Sequence, residues 1–157
     1  MRIGYFIHSL SGNGPRTRAR SLITSIGEQT DHQPVVVTEK GSDYDVDDVE
    51  THKIIDLTPF GIFNTLSRTN YIFNTVDLVH VPVNMKQAGF VRSVYSGPLV
   101  VGAGIQHELH YRIVGKLLSI DMIVDTHEYI SYLWSKSGYN STHVYPAVDE
   151  TRFYEYD

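Results

Sequence analysis

Short β-branched or aromatic runs alternate with amphipathic stretches along the whole chain. Ile3 to Ile7 is a compact apolar run and Val35 to Val37 is β-branched throughout, so both predict buried strands. Between them, Ala19, Leu22, Ile23 and Ile26 recur at helical spacing across Arg16 to Glu28, with arginine and glutamate on the other side. Pro15 suits the first turn of that helix, where its missing N–H would be unpaired in any case. Further strands are predicted at Lys53–Ile55, Asp77–Val81, Leu99–Val101, Asp121–Val124 and, last, Val144–Tyr145. Helices are predicted at Pro59–Thr75, Met85–Val94, Glu108–Ser119 and Glu128–Ser137. In the first of these Phe60, Phe63, Leu66 and Phe73 are expected to be buried. In the third, Leu109, Ile113, Leu117 and Leu118 are expected to share one face.

Strands that alternate with helices imply parallel strands joined by right-handed crossovers, hence an α/β, Rossmann-like, doubly wound and mainly parallel sheet. Ligands of such sheets bind beyond the carboxyl ends of the strands, near the point where strand order reverses. His8, Pro82, the Gly102-to-His107 stretch and His127 all fall at predicted strand ends of that kind.

The turn Ser11-Gly12-Asn13-Gly14-Pro15-Arg16 stands at the first of those ends. Gly12 and Gly14 can adopt positive φ and let backbone approach a ligand closely. The helix that follows offers unpaired N–H groups and a partial positive charge, which suit an anion. Arg16 and Arg18 would reinforce it, since guanidinium matches phosphate geometry. The same residues also fit a plain tight turn with a solvated arginine face. A dinucleotide site would need a third small residue at position 17, where Thr17 stands, although Glu39 occupies the place of a ribose-binding acid.

Composition narrows the field. The 157 residues suit one domain, and 41% hydrophobic with 20% charged residues is ordinary for a globular protein. A net charge of −5 argues against nucleic acid as a partner, and the absence of cysteine rules out disulfides and thiolate metal sites. No pair among the eight histidines shows the i, i+4 spacing of a helical metal site, and no metal is expected. Neither a signal peptide nor a membrane span is legible, and a cytoplasmic location is expected. Tyr129, Tyr132 and Tyr139 suit either a sugar cleft or half-buried packing, and Trp134 suits the core. A Gly-x-Ser-x-Gly nucleophile elbow is absent.

The C-terminal stretch carries the most specific pattern: Ile120-Asp121-Met122-Ile123-Val124, Thr126 to Leu133, Gly138-Tyr139, and Val144-Tyr145-Pro146-Ala147-Val148-Asp149-Glu150-Thr151-Arg152-Phe153. It resembles the end of the N-terminal domain of GT-B glycosyltransferases of family 4. Thr126 stands where many relatives carry serine, and Ala147 replaces a common asparagine. The Gly-rich opening and Asp77-Leu78-Val79-His80-Val81 resemble the same family. The resemblance implies the N-terminal half of a GT-B fold, with residues 1–145 an acceptor-side domain and 146–157 the start of an interdomain linker. It implies a retaining transfer from a nucleotide-sugar donor, with no separate cofactor, to a glycan or lipid-linked acceptor. Gly12, Asn13 and Gly14 would approach the donor diphosphate with Arg16 as charge partner, and His107 would stand beside the reacting sugar. The donor-binding domain would be a missing C-terminal half or a separate chain, and peripheral membrane association is expected. A binding or partner domain without catalysis is the alternative, and an NAD-dependent dehydrogenase domain a further one.

Overall fold

The alternation of apolar runs and amphipathic stretches resolves, in a computed structural model, into twelve elements among the described residues. In chain order they are β1 (Arg2–Ile7), α1 (Gly14–Gln29), β2 (Gln33–Glu39), β3 (Glu50–Ile55), α2 (Gly61–Phe73), β4 (Leu78–Val81), α3 (Met85–Arg92), β5 (Leu99–Gly102), α4 (Leu109–Leu117), β6 (Met122–Asp125), α5 (Glu128–Lys136) and β7 (Ser141–His143). The structure describes residues 1–8, 14–42, 49–82, 85–102 and 109–144, with backbone alone at 14–17 and 109–111. The expected tail 146–157 lies outside the described residues. No described helix is long and apolar enough to cross a membrane.

All seven strands join one sheet in the order β3-β2-β1-β4-β5-β6-β7, and every neighbouring pair is parallel. The chain winds outward from β1 through β2 to β3, returns, and winds the other way through β4 to β7. Strand order therefore reverses between β1 and β4. The expected doubly wound parallel sheet is present.

Right-handed crossovers fix which face each helix covers. Helix α1 buries Ala19 and Ile23 against Ile3, Tyr5, Ile7 and Val36 on one side. The opposite face holds the larger core: Ile72 and Phe73 of α2, Met85, Ala88 and Val91 of α3 and Trp134 of α5 pack on Phe6, Val79, Val81, Leu99, Val101 and Ile123. Trp134 is fully buried, as its place on an amphipathic helix predicts, and its ring meets Tyr139 edge-on at 5.1 Å. The face that carries α1 is different beyond β1. There Leu78, Val100, Met122 and Val124 point to the same side and stay partly exposed, with none of the described helices packed over β5 and β6 on that side.

Two expectations are corrected. In α2 the buried residues are Thr65, Thr69, Ile72 and Phe73, while Phe60 and Phe63 point to solvent. The reason is the Thr65 hydroxyl, which donates to the carbonyls of Ile54 and Asp56 and accepts the Asp56 N–H at 2.9 Å, tying that face of the helix to the end of β3. In α4, Ile113 and Leu117 lie on an exposed side of the helix, while Gly115 is buried with the Tyr139 ring where a side chain at 115 would go. The last described strand is Ser141–His143, which ends before Val144, and Tyr145 lies outside the described residues. Its polar sequence hid it: Ser141 donates to the Ser131 carbonyl at 2.6 Å and shares a hydrogen bond with Ser135 at 2.8 Å, so hydroxyls latch this edge strand to α5.

Candidate functional site

Parallel strands deliver their following loops to one edge of the sheet, and the reversal between β1 and β4 opens a crevice there. His8 after β1, Pro82 after β4, Gly102 at the end of β5 and His127 after β6 all stand at that edge. Gly14 and Arg16 lie in the first turn of α1, which starts from the same edge. Gly12, Asn13 and His107 lie outside the described residues, as does the side chain of Arg16.

Gly102 has a specific steric reason. A Cβ at this position would lie 2.4 Å from the Pro82 carbonyl oxygen and 2.8 Å from its carbon. Real Cβ atoms do not approach backbone so closely, so only glycine lets the ends of β4 and β5 close together beside the crevice.

Polar side chains at the edge meet across strands. Residues Ile7 and Thr38 are register partners, so the next residues, His8 and Glu39, come together with Nε2 and Oε1 3.6 Å apart. The acid that a dinucleotide reading would give to a ribose therefore faces His8. Thr38 itself is buried on the face that carries α1, and its hydroxyl has no hydrogen-bond partner among the described residues. Buried hydroxyls without partners are uncommon in folded proteins.

Asp125, at the end of β6, was not legible as a functional residue. It is 2% exposed. Its Oδ1 accepts the His127 N–H at 2.9 Å, which turns the chain into α5, while Oδ2 is buried with no partner among the described residues. Burial raises its pKa above the usual carboxylate range, against the opposing pull of the backbone N–H groups of His127 and Thr126. The group is thus a buried carboxyl that holds a proton more tightly than an ordinary aspartate, at the edge where ligands of this fold sit. The only sequence signal was an Asp shortly before a helix start, which reads as capping.

His80 lies two strands further in, on β4. It is the register partner of Tyr5, with ring centroids 5.5 Å apart, and burial lowers its pKa to about 4. Burial likewise pushes the Tyr5 phenol upward. Both rings are therefore neutral near pH 7.

The opposite, amino-terminal edge has a hollow lined by Arg92, Ser96, Gly97, Pro98, Ser119 and Asp121. Arg92 spends its donors within the protein. Nε bonds the Leu118 carbonyl at 2.7 Å, Nη1 those of Gly97 at 2.7 Å and Tyr95 at 3.2 Å, and Nη2 that of Ser119 at 2.7 Å and the Asp121 carboxylate at 3.4 Å. Ser119 adopts φ 48°, an uncommon left-handed geometry. This hollow is a structural clamp rather than a ligand site. Among the described residues, no three His, Asp or Glu side chains are grouped to hold a metal ion.

No family model matches the sequence, and no curated protein matches it. Its fold recurs among solved structures. The crystal structure of Anabaena Alr3699/HepE in complex with UDP and glucose aligns with a TM-score of 0.63 at 11% identity, over 96% of this chain and 46% of that chain. That of Anabaena Alr3699/HepE in complex with UDP-glucose aligns with a TM-score of 0.65 at 11% identity, over 96% of this chain and 45% of that chain. The chain therefore spans a little under half the length of these structures. At such identity the likeness is one of fold: a Rossmann-like parallel sheet of the GT-B half-domain type.

Proposed function

We propose that this chain is the acceptor-side domain of a retaining glycosyltransferase that draws its sugar from a nucleotide-sugar donor. The observation that carries the reading is the shared fold, over nearly the whole chain, with structures that hold UDP and glucose or UDP-glucose. The reversal of strand order between β1 and β4 puts the start of α1, from Gly14, at the mouth of the crevice. Backbone N–H groups and a helix start suit a diphosphate that gains charge as it leaves the sugar. In this reading Gly12, Asn13 and Gly14 approach that diphosphate, Arg16 supplies a positive charge, and His107 stands beside the reacting sugar. A glycan or lipid-linked acceptor binds on this domain, and a second, donor-binding domain grips the nucleotide. The partly exposed apolar residues Leu78, Val100, Met122 and Val124 support a larger assembly, since contiguous apolar surface of this kind marks interaction sites.

The test uses the assembled enzyme, with the donor-binding domain supplied by its own or a neighbouring reading frame. Gly14→Val is expected to abolish transfer from UDP-glucose while the melting temperature of the domain stays unchanged. His107→Ala is expected to lower turnover and leave donor binding intact. Full activity in the first variant removes the Gly-rich turn from the mechanism, and full activity in the second removes His107.

A further inference from the structure

The ends of β1 and β2 bring one histidine and one carboxylate together beside the point where strand order reverses. Ile7 and Thr38 are register partners, and the residues after them, His8 and Glu39, meet with Nε2 and Oε1 3.6 Å apart. That separation exceeds a hydrogen bond, so neither group satisfies the other. Their side chains are 37% and 40% exposed, and among the described residues neither has a further side-chain partner. The pair stands open at the carboxyl edge of the sheet.

The backbone holds Glu39 in this place. The β2–β3 ladder shifts register between Thr38 and Glu39: Thr38 pairs with Lys53 and Glu39 with Ile55, which leaves Ile54 as the extra residue. An irregularity of this kind re-aims the side chain beside it. The Lys40 N–H then donates to the Ile55 carbonyl at 3.0 Å, and the Ser42 N–H to the Glu39 carbonyl at 3.0 Å. Gly41, at φ 87°, supplies the positive φ that this tight turn needs at its third residue. The backbone under the carboxylate is thus fixed before a ligand arrives, which lowers the entropy cost of binding.

The chemistry of the pair selects its ligand. A carboxylate repels phosphate, and among the described residues no three His, Asp or Glu side chains are grouped to hold a metal ion. A pure acceptor beside a ring that can donate or accept suits two neighbouring hydroxyls. Phe6, two residues before His8 on the same face of β1, stacks on the half-buried Phe90 of α3 with ring centroids 4.9 Å apart. These rings give an apolar floor for the C–H face of a sugar. Two other hydroxyl-bearing ligands fit less well. A dinucleotide ribose would need a small residue where Thr17 stands. The start of α1, which suits the donor diphosphate, belongs to the face of Ile7 and Val36, whereas His8 follows Phe6 on the face of α2 and α3.

We propose that His8 and Glu39 read neighbouring hydroxyls on the acceptor's sugar ring and so decide which sugar is accepted. One hydroxyl donates to the Glu39 carboxylate, and the next hydrogen-bonds the His8 ring. This role rests on the transfer reading, which makes the ligand a glycan acceptor. Sugar binding by the chain alone needs neither a donor domain nor His107, so either can fail without the other.

The experiment follows the His8 ring, assigned with His8→Gln, by NMR of the histidine-labelled chain, wild type and Glu39→Gln. The titrants are the methyl glycosides of glucose, galactose, mannose and N-acetylglucosamine, then UDP-glucose and NAD. At least one methyl glycoside is expected to shift the His8 resonances at millimolar concentration. Glu39→Gln is expected to weaken that binding roughly tenfold, because the charge-assisted bond is lost, and to keep the melting temperature. The monodeoxy analogue that lacks the hydroxyl read by Glu39 is expected to bind the wild type roughly tenfold more weakly than its parent, and Glu39→Gln equally. A merely structural His8–Glu39 contact would not produce that coupling. Absence of a shift with every methyl glycoside overturns the proposal, as do equal binding by Glu39→Gln and an undiminished deoxy penalty in that variant. Shifts with UDP-glucose alone overturn it and assign the pair to the donor sugar. Shifts with NAD alone overturn it and assign Glu39 to a nucleotide ribose.

Discussion

Replacing His80 by leucine isolates one titration in the folded state. Its pKa is lowered from 6.5 to about 4 by burial beside Tyr5. In the unfolded chain the ring takes up a proton near pH 6.5, whereas in the folded protein it stays neutral until the pH nears 4. A depressed folded-state pKa contributes stability that is full above 6.5 and is lost as the pH falls toward 4. From linkage, the ratio of binding polynomials at about pH 4.5 corresponds to a loss of roughly 2.5 kcal/mol relative to about pH 7.5. Leucine removes this proton uptake and leaves every other titrating group in place. Urea unfolding of both proteins at the two pH values gives four free energies and one double difference. The wild type is expected to lose about 2.5 kcal/mol more than His80→Leu on acidification. Parallel pH profiles for the two proteins would refute the assignment of this burial to the folded state.

The amino-terminal clamp and the carboxyl-edge glycine give two further predictions. Arg92→Ala deletes bonds to the carbonyls of Leu118, Tyr95, Gly97 and Ser119 at once, and is expected to cost roughly 3–5 kcal/mol in chemical denaturation, since charge-assisted bonds and stranded acceptors both count. A loss below about 1 kcal/mol would mean that water replaces the guanidinium without penalty. Gly102→Ala forces the Pro82 backbone away from β5 and is expected to cost about 1–3 kcal/mol, with the amide shifts of an NMR spectrum centred on the ends of β4 and β5. Unchanged stability there would show that the Pro82 turn yields freely.

The sheet was legible because its cause is local. Runs such as Ile3–Ile7 and Val35–Val37 are buried on both faces and have only one use, and their alternation with helices dictates parallel order and handedness. The errors came where a distant partner decides. The periodicity of α2 allows either its phenylalanines or its threonines inward, and the choice falls to the end of β3, which receives the Thr65 hydroxyl. Strand β7 lacks an apolar run because hydroxyl bonds to α5 hold it in place of burial. At the candidate site, the positions of His8, Pro82 and Gly102 followed from topology alone. The His8–Glu39 contact required the register of β1 against β2, and the raised pKa of Asp125 required its burial; neither quantity exists in a linear sequence.

The central claim is that this domain completes a sugar-transfer site only with a donor-binding partner. Labelled glucose transfer from UDP-glucose to a membrane-extracted acceptor fraction, measured for the chain alone and for the chain with its donor-binding domain, tests it most directly. The account predicts transfer by the pair and none by the chain alone. Appreciable transfer by the chain alone, or none by the pair with any nucleotide-sugar, would contradict it.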